Sequence, residues 1–325
     1  MPEQLTIYCT QTFTGEALSS LREATAHHRL LIADKPNSHN LQAGGADPRL
    51  AEADVAFGQP DVATVMASQR LKWVHLTTAG YERYAGEDFR RALRSRKAIL
   101  TNSSSVYCEP VAQHAVAMML ALARNLPQAW DAQRTDHAWP YRQLRAQSRL
   151  LTQQTALLLG FGAIGKRLVK LLTPFGMNLI AVRTRVLGDE PCRTCAAADL
   201  EQVLPLADHV VSSLPGGTTT RNYMNESRFA AMKPGAVFYN VGRGTTVDQD
   251  ALLAALRSGR LGAAYLDVTE PEPLPPDHPL WTAPNCHITP HSAGGHVDEP
   301  LRIVRHFLAN LKRFDQGEAL LDRIV

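Results

Sequence analysis

The chain has 325 residues, of which 45% are hydrophobic and 20% charged, a composition typical of globular proteins and not of disordered ones. A single core rarely grows much beyond ~250 residues, so we expect two domains. The formal net charge of +3, carried by scattered lysines and arginines, excludes the strongly basic face of a typical nucleic-acid-binding protein.

Short apolar runs alternate with polar helical stretches in the first hundred residues, which predicts a parallel sheet with helices on both faces. The predicted strands are 5–9, 30–33, 55–57, 73–76 and 99–101. Residues 109–125 then carry apolar side chains at helical spacing, with Pro110 suited to the first turn. This segment is expected to be a long buried helix that connects two domains.

The alternation starts again at Thr155 and predicts a second doubly wound domain. Its strand candidates are 155–160, 178–182, 209–213, 236–240, 262–268 and 286–289. A helix predicted at 297–314 follows the last strand and can pack back on the first domain. We therefore expect a first domain of residues 1–101 and 295–325, with residues 102–294 inserted in it.

A secretory signal would place a basic stretch before an apolar one, and the first residues, MPEQLTIYCTQ, have neither. The longest apolar run, 115–123, is too short to span a bilayer as a helix.

Five cysteines, an odd number, do not indicate a disulfide framework. Cys192-x-x-Cys195 lacks the second ligand pair of a typical zinc site. We expect a cytoplasmic protein with no metal and no membrane partner.

A glycine-rich turn follows the first strand of the second domain. It reads Gly160-Phe161-Gly162-Ala163-Ile164-Gly165 and opens a helix. The first glycine permits a tight turn, the second lets backbone approach a pyrophosphate, and the third lets helix pack against strand. In this context the turn predicts dinucleotide binding. The alternative is a glycine-rich turn without a ligand.

Three polar segments, 240–244, 266–273 and 289–294, lie at or just past predicted strand ends, where open α/β sheets bind ligands. Arg243 can form paired hydrogen bonds with the carboxylate of a 2-keto acid. His291 can give a proton to the carbonyl oxygen as hydride arrives from a nicotinamide. Glu272, if in contact, would favour the protonated imidazole. Taken singly, Arg243 would more often be part of a loop salt bridge, His291 a structural histidine and Glu272 a solvated charge.

Together, and after the glycine-rich turn, these segments resemble the D-isomer-specific 2-hydroxyacid dehydrogenase family. The resemblance covers nearly the whole chain. It implies an α/β fold of two doubly wound parallel-sheet domains, with a Rossmann cofactor domain inserted in a flavodoxin-like substrate domain. The further segments that carry it are Thr78-Ala79-Gly80, Val111-Ala112-Gln113-His114, Phe175-Gly176-Met177, Leu214-Pro215, 241–252 and the LDV, EPLP and PH series.

The resemblance also implies roles for single residues. Arg243, Glu272 and His291 would be catalytic, and backbone at Ala79 and Gly80 would hold the substrate carboxylate together with Arg243. Of two glutamates that precede a proline, Glu272 is chosen over Glu270, because the family's glutamate lies five residues after the aspartate of LDV. Further residues implied to contact the cofactor are Leu214, Pro215, Val241, Gly242 and Asp267, the last facing the nicotinamide carboxamide.

Two segments depart from the family pattern. Gln113-His114 stands where Glu-His is frequent, and Asn102-Ser103-Ser104 stands where Asn-x-Pro is frequent. Both adjoin the expected substrate site, so they indicate a different substrate preference.

NADP(H) is the expected cofactor, with NAD(H) as the alternative. An NAD-specific fold of this type places an acidic residue about 20 residues beyond the glycines. The family position, eighteen residues after Gly165, is here Arg183. Arg183-Thr184-Arg185 therefore offers two guanidinium groups and a hydroxyl to a 2′-phosphate. Two solvated loop arginines would be the alternative.

We expect an enzyme that interconverts a small 2-keto acid, of the glyoxylate, hydroxypyruvate or phenylpyruvate kind, and its 2-hydroxy acid. The alternative is a dinucleotide-sensing binding protein of the corepressor type. A formate dehydrogenase is disfavoured, because that class has glutamine where Glu272 stands.

A two-fold homodimer through the cofactor domain is expected on family grounds. Its contact surface would be the connector helix and residues 126–150, and Trp139 is a candidate to reach across the interface. Domain closure over substrate should bend the chain near residues 102–105 and 292–295.

Overall fold

A computed structural model describes residues 3–39, 42–188 and 190–325. The chain divides into two compact units, Met1–Tyr107 with Gly295–Val325, and Cys108–Gly294. The first boundary lies six residues after the one that the sequence indicated, and the second lies at the same position.

The first unit contains a five-stranded parallel sheet in the spatial order β2-β1-β3-β4-β5. All five strands lie where the apolar runs predicted them, and β2 is longer than predicted. The strands are β1 (Thr6–Gln11), β2 (Arg29–Asn37), β3 (Val55–Gly58), β4 (Trp73–Leu76) and β5 (Ile99–Thr101). The helices confined to this unit are α1 (Gly15–Ala24), α2 (Val62–Ala67), α3 (Glu87–Ser95) and the C-terminal α11 (Glu299–Asp315).

Both faces of this sheet are buried under helices, which makes the unit doubly wound. Successive strand residues point to opposite faces, so Val55 and Phe57 join one apolar cluster and Ala56 joins the other. The C-terminal helix α11 packs on the first of these faces, where the ring of Phe307 stacks 4.1 Å from that of Phe57. The sequence expectation that this helix returns to the first unit is confirmed.

The second unit contains a seven-stranded parallel sheet in the order β12-β11-β10-β9-β6-β7-β8. The strands are β6 (Thr155–Leu159), β7 (Asn178–Arg183), β8 (Arg193–Ala196), β9 (His209–Ser212), β10 (Ala236–Asn240), β11 (Leu261–Leu266) and β12 (Cys286–Ile288). The helices that lie wholly in it are α5 (Leu126–Thr135), α6 (Tyr141–Gln147), α7 (Ala163–Leu172), α8 (Leu200–Val203), α9 (Glu226–Ala231) and α10 (Gln249–Arg257).

The strand order of this sheet reverses between β6 and β9. The carboxyl ends of strands on the two sides of such a reversal border a crevice, which is where open α/β sheets bind ligands. Ligand-binding residues are therefore expected in the turns at the carboxyl ends of β6, β7, β9, β10, β11 and β12. Six of the seven strands were predicted from the sequence, and β8 was missed.

The long connector helix α4 (Ser104–Ala123) contains the first boundary between the units. It begins five residues earlier than predicted, so Pro110 lies inside the helix and not in its first turn. Proline has no N–H, so the carbonyl four residues before it loses its helical donor. Only 33% of its most apolar stretch is buried, so the helix is less buried than the sequence predicted. By length and composition alone it could also cross a membrane, but one such helix is weak evidence because core helices meet the same criterion.

Candidate active site

The glycine-rich turn joins β6 to α7 with the geometry that its three glycines require. Gly160 has φ +96°, a left-handed backbone that L side chains rarely adopt. A Cβ on Gly165 would lie 2.5 Å from the carbonyl oxygen of Gly160, so helix and strand could not approach this closely with any other residue. The first and third glycines therefore carry the roles that the sequence indicated.

Gly162 is the N-cap residue of α7 and leaves the helix N-terminus open. In the part of the chain that the structure describes, no side chain caps this terminus, and a Cβ on Gly162 would meet nothing within 4 Å. The unpaired N–H groups and the positive end of the helix dipole make such a terminus suitable for a phosphate. The turn thus fits the pyrophosphate of a dinucleotide.

The segments after β9 and β10 meet closely beside this turn. The backbone N–H of Ser213 donates to Leu159 at the end of β6, and that of Val241 donates to Ser212 at the end of β9. A Cβ on Gly242 would lie 2.4 Å from the carbonyl oxygen of Leu214. Leu214 and Gly242, two of the residues expected near the cofactor, are therefore packed against one another at the point where the strand order reverses.

Arg183 ends β7, as expected, but its guanidinium has a partner that the sequence did not indicate. Its Nη1 lies 2.7 Å from Oε1 of Glu190, a carboxylate that also accepts the backbone N–H groups of Leu187 and Gly188. The pKa of Glu190 therefore lies below its usual value. The N–H of Leu187 lowers it most, and the N–H of Gly188 and the guanidinium of Arg183 lower it further. The guanidinium carbon of Arg183 also lies 6.0 Å from the ring centroid of Phe161 in the glycine-rich turn.

The two residues that follow Arg183 differ from it in their surroundings. Thr184 and Arg185 are both exposed, and among the described residues Arg185 has no hydrogen-bond or ion-pair partner. The loop therefore presents one paired and one unpaired guanidinium at the end of β7.

Arg243 lies in the turn after β10, where the buried side chain of Asn240 holds the backbone. Asn240 Nδ2 donates to the carbonyl of Arg243 at 2.9 Å, and the N–H of Gly242 donates to Asn240 Oδ1 at 3.1 Å. One guanidinium nitrogen of Arg243 donates to the carbonyl of Gly242 at 2.8 Å. Guanidinium is planar and has five N–H donors in a fixed geometry that matches a carboxylate.

His291 and Glu272 are in direct contact, as the sequence suggested. The Nδ1 atom of His291 lies 2.8 Å from Oε2 of Glu272, and the other oxygen of Glu272 accepts the N–H of Thr269 at 3.0 Å. An ionised carboxylate can only accept, so Nδ1 carries a proton and Nε2 is the nitrogen left for a substrate. The side chain of His291 is 29% exposed, which keeps the ring within reach of a ligand.

The electrostatics of Glu272 favour its ionised form. Partial burial acts to raise the pKa of this carboxyl, but the hydrogen bond and charge of His291 outweigh it, followed by the N–H of Thr269 and the charge of Arg243. The net pKa lies below the usual value, so Glu272 is a carboxylate at neutral pH.

Asp267 anchors the loop that carries His291. Its side chain is buried, and its Oδ1 accepts the hydroxyl of Thr289 at 2.6 Å and the N–H groups of Ser292 at 2.9 Å and Ala293 at 3.1 Å. Its own carbonyl accepts the N–H of His291 at 2.8 Å. His291 has φ 52°, a left-handed conformation that is costly for histidine, and these bonds offset that cost. Sequence analysis found Asp267 but not Thr289.

In the first unit, the loop after β4 turns its carbonyl groups toward protein donors. Among the described residues, no acceptor pairs with the N–H groups of Ala79 or Gly80, so these two donors remain for a ligand. By contrast, the carbonyl groups of residues 77–80 all accept hydrogen bonds. The Tyr107 hydroxyl donates to the carbonyl of residue 77 and the Ser103 N–H to that of residue 78. Asn102 Nδ2 donates to the carbonyl of residue 79 and the Thr78 hydroxyl to that of residue 80. Asn102, which matches the family pattern that Ser104 departs from, thus shapes the loop predicted to hold the carboxylate.

Cys192 and Cys195 are free and partly buried. Burial raises the pKa of both thiols, followed by nearby acidic charge, which disfavours the reactive thiolate.

The group formed by His27, His28 and Asp315 has ligand atoms within 4.8 Å of one another. However, Nδ1 of His28 accepts the backbone N–H of Leu5 at 3.2 Å, so the proton of the neutral ring is on Nε2. That nitrogen is the one that faces Asp315, and a metal could bind it only at the expense of the Leu5 hydrogen bond. We do not assign a metal to this group.

Comparisons with known proteins agree with this geometry. Residues 116–293 match the family model described as "D-isomer specific 2-hydroxyacid dehydrogenase, NAD binding domain". The glyoxylate reductase/hydroxypyruvate reductase of Homo sapiens is 32% identical over 232 residues, which are 69% of this chain and 68% of that protein. The glyoxylate reductase of Aeropyrum pernix is 35% identical over 224 residues, 67% of each chain.

Among solved structures, a D-isomer specific 2-hydroxyacid dehydrogenase from Xanthobacter autotrophicus Py2, in complex with NADPH and MES, has a TM-score of 0.82 and 27% identity. The match covers 99% of this chain and 98% of that one. Both units of the fold are therefore shared with a protein that binds a nicotinamide dinucleotide. The chain belongs to the D-isomer specific 2-hydroxyacid dehydrogenase family and is an NAD(P)-linked oxidoreductase of that family.

Proposed function

We propose that the protein reduces a small 2-keto acid of the glyoxylate or hydroxypyruvate kind, using NADPH. The contact between His291 and Glu272 carries this proposal, because it provides a proton donor for a carbonyl oxygen in the same unit as the glycine-rich turn. The printed names of the human and Aeropyrum relatives, both glyoxylate reductases, support the substrate class. Nothing in the comparisons favours the corepressor alternative.

His291 is the proposed proton donor. The bound nicotinamide supplies the hydride, and His291 supplies the proton that turns the carbonyl oxygen into a hydroxyl. The proton leaves from Nε2, because Nδ1 is held by Glu272. Glu272 fixes the orientation of the ring, and the donor form of His291 is the imidazolium, in which both ring nitrogens carry a proton.

Arg243 is the proposed partner of the substrate carboxylate. Its backbone is fixed by Asn240, and the planar guanidinium can give two parallel hydrogen bonds to a carboxylate. We also propose, on the family resemblance, that the N–H groups of Ala79 and Gly80 bind a substrate carboxylate. Their support is the loop geometry of the first unit, in which every neighbouring carbonyl is already occupied.

The substrate test is loss of NADPH absorbance with a panel of keto acids. Glyoxylate, hydroxypyruvate and phenylpyruvate are offered to the purified protein, each with NADPH and with NADH, and His291→Gln serves as the inactive control. Turnover of glyoxylate or hydroxypyruvate above that control is the expected result. Binding of NADPH without reduction of any of the three acids would contradict the proposed substrate class.

The preference for NADPH over NADH rests on Arg183, Thr184 and Arg185. The ion pair with Glu190 takes up part of the positive charge of Arg183, but its remaining N–H donors and the unpaired Arg185 still favour a dianionic 2′-phosphate. Glu190 itself repels that phosphate. We therefore propose that the two arginines favour NADPH over NADH, and that Glu190 reduces this preference without removing it.

We further propose that the protein is a homodimer that works in the cytoplasm. Large apolar side chains are exposed on residues 126–150 of the second unit, with Trp139 90% and Tyr141 57% exposed. They line a cavity of about 550 Å³ together with Trp130 and Leu144. Exposed apolar surface of this kind is typical of a protein interface. The five free cysteines are compatible with a reducing compartment.

Light scattering at micromolar concentration tests the dimer. Replacement of Trp139 by serine should weaken association more than replacement of Trp281, which is also exposed but lies outside the 126–150 segment. A monomeric mass for the unmodified protein would refute the proposal.

A further inference from the structure

We propose that Tyr265 is a positioning residue that orients Asp267, and through it the nicotinamide, by way of the Thr289 hydroxyl. Nothing in the sequence indicated a role for this tyrosine, which precedes Leu266-Asp267-Val268 on β11. Its hydroxyl lies 2.6 Å from Oγ1 of Thr289, and that oxygen lies 2.6 Å from Oδ1 of Asp267. Three polar groups thus form a continuous chain from inside the sheet to the candidate active site.

The direction of both hydrogen bonds is fixed by proton count. An ionised carboxylate only accepts, so the single hydroxyl proton of Thr289 goes to Asp267. Thr289 therefore has no proton left for the tyrosine, and Tyr265 must donate to Thr289. Burial of Tyr265 raises the pKa of its phenol well above the usual value, so the hydroxyl remains a donor at every pH at which the enzyme works.

Tyr265 is held firmly enough to act in this way. Its side chain is fully buried, and its ring stacks on that of His114 of helix α4, with centroids 5.7 Å apart. The strand register sets Tyr265 opposite Tyr239 on β10 and opposite His287 on β12. Rotation of the ring away from Thr289 would therefore require repacking on both sides.

The consequence concerns the free oxygen of Asp267. Its Oδ1 takes the Thr289 hydroxyl and two backbone N–H groups, whereas the described residues give Oδ2 one bond, from Ala293 at 3.1 Å. Oδ2 can therefore still accept from the amide NH₂ of a nicotinamide, the contact that the family resemblance implies. By fixing Oδ1, Tyr265 and Thr289 set the direction in which Oδ2 points. This step rests on the proposed dinucleotide function.

The test compares Tyr265→Phe with Tyr239→Phe. Both tyrosines are fully buried, and each loses one buried hydroxyl bond, Tyr239 to His209 at 3.0 Å. Only Tyr265 is linked to Asp267, so Tyr239→Phe is a matched control for lost stability. Thermal midpoints of the two variants are measured first.

The decisive readout is equilibrium binding of two reduced cofactors, followed by cofactor or protein fluorescence without keto acid. One is NADPH, and the other is its 3-acetylpyridine analogue, which has a methyl group in place of the amide NH₂. The unmodified protein should prefer NADPH. In Tyr265→Phe that preference should fall about fivefold, as expected for a weakened hydrogen bond to a charged group, and in Tyr239→Phe it should be unchanged.

Thr289→Val gives an independent check, because it removes the link between Tyr265 and Asp267 while keeping the shape of the side chain. Its preference for NADPH should fall at least as far. Combined with Tyr265→Phe, it should add nothing further, since both act through one chain of hydrogen bonds. If Tyr265→Phe fails to fold, an unchanged preference in Thr289→Val would by itself overturn the proposal.

The outcomes separate this proposal from the proposed function. An unchanged preference in Tyr265→Phe, or an equal loss in Tyr239→Phe, overturns the role of Tyr265. If the unmodified protein binds NADPH but reduces no keto acid, the substrate class is wrong, while the binding preference still decides the role of Tyr265.

Discussion

The Nδ1 atom of His291 and the Oε2 atom of Glu272 lie 2.8 Å apart, although the two residues are separated by nineteen positions and lie in different loops. Glu272 lies in the loop after β11, and His291 lies in the loop after β12. Parallel strands bring their carboxyl ends to one edge of the sheet, so neighbouring loops can share a site. The pair thus follows from the fold itself.

We expect His291→Gln to lower kcat by a factor of order 10²–10⁴, the usual contribution of general acid catalysis. Glutamine keeps a polar side chain of similar reach but cannot supply a proton. NADPH affinity, measured by fluorescence, should change little, because the His291 ring is hydrogen-bonded to Glu272 and not to the glycine-rich turn. Near-normal turnover in this variant would show that another group is the acid.

Arg243→Lys should raise the KM for the keto acid strongly and also lower kcat. Lysine keeps the positive charge but cannot form two parallel bonds to a carboxylate. Arg221, an exposed arginine of the same unit, offers a control substitution to lysine that should leave both constants unchanged. An unaltered kcat/KM in Arg243→Lys would mean that another cation binds the carboxylate.

Asp54 in the first unit should make stability depend on pH. Its carboxylate accepts the N–H of Thr6 at 2.9 Å and a guanidinium nitrogen of Arg70 at 3.1 Å. Burial acts to raise the pKa of Asp54, but these bonds and the charge of Lys72 outweigh it, and the net pKa is below the usual 3.8. The resulting stabilisation is fully present above pH 3.8, and it is lost as pH falls through the lowered folded-state pKa.

Asp54→Asn tests this expectation by thermal unfolding. At pH 7 the variant should be less stable by about 1 kcal/mol, the order of a typical hydrogen bond, because asparagine loses the charge but keeps an acceptor oxygen. The difference between the two proteins should shrink as the pH is lowered below the usual carboxyl range. A difference of the same size at pH 7 and in strong acid would show that the charge of Asp54 does not contribute.

The sequence predicted most of the fold because the buried strands are continuous apolar runs, as in TALLL of β6. It missed β8 because Arg193–Ala196 contains an arginine and is only partly buried at the edge of the sheet. It placed the start of α4 too late, since Pro110 looked like a first-turn residue. Local pattern thus identifies central strands better than edges and helix ends.

The site was predictable where the family resemblance marks a residue, as with Arg243, Glu272 and His291. It was not predictable where a contact depends on how the chain folds back. The ion pair between Glu190 and Arg183 is an example, because no pattern of residues between them predicts that they meet. The bond between Tyr265 and Thr289 depends on the pairing of β11 with β12, which is decided by the whole sheet.

The cofactor prediction follows from the residues at the end of β7. A 2′-phosphate beside Arg183 and Arg185 gains charge-assisted hydrogen bonds of ~1.5–3 kcal/mol each, whereas the bare hydroxyl of NADH gains much less. Glu190 offsets part of this gain because it pairs with Arg183 at 2.7 Å. We therefore expect kcat/KM with NADPH to exceed that with NADH by at least roughly tenfold, equivalent to ~1.4 kcal/mol.

Replacement of both Arg183 and Arg185 by alanine should remove most of this preference, chiefly by raising the KM for NADPH. Arg193→Ala is the matched control, because Arg193 is an exposed arginine of the same unit on the neighbouring strand β8, and it should leave the preference intact. Glu190→Gln removes the negative charge beside Arg183, so it should not weaken the preference for NADPH. The measurement is kcat/KM with each reduced cofactor at a saturating keto acid concentration. Equal efficiency with NADPH and NADH in the unmodified protein would show that the two arginines do not select the cofactor.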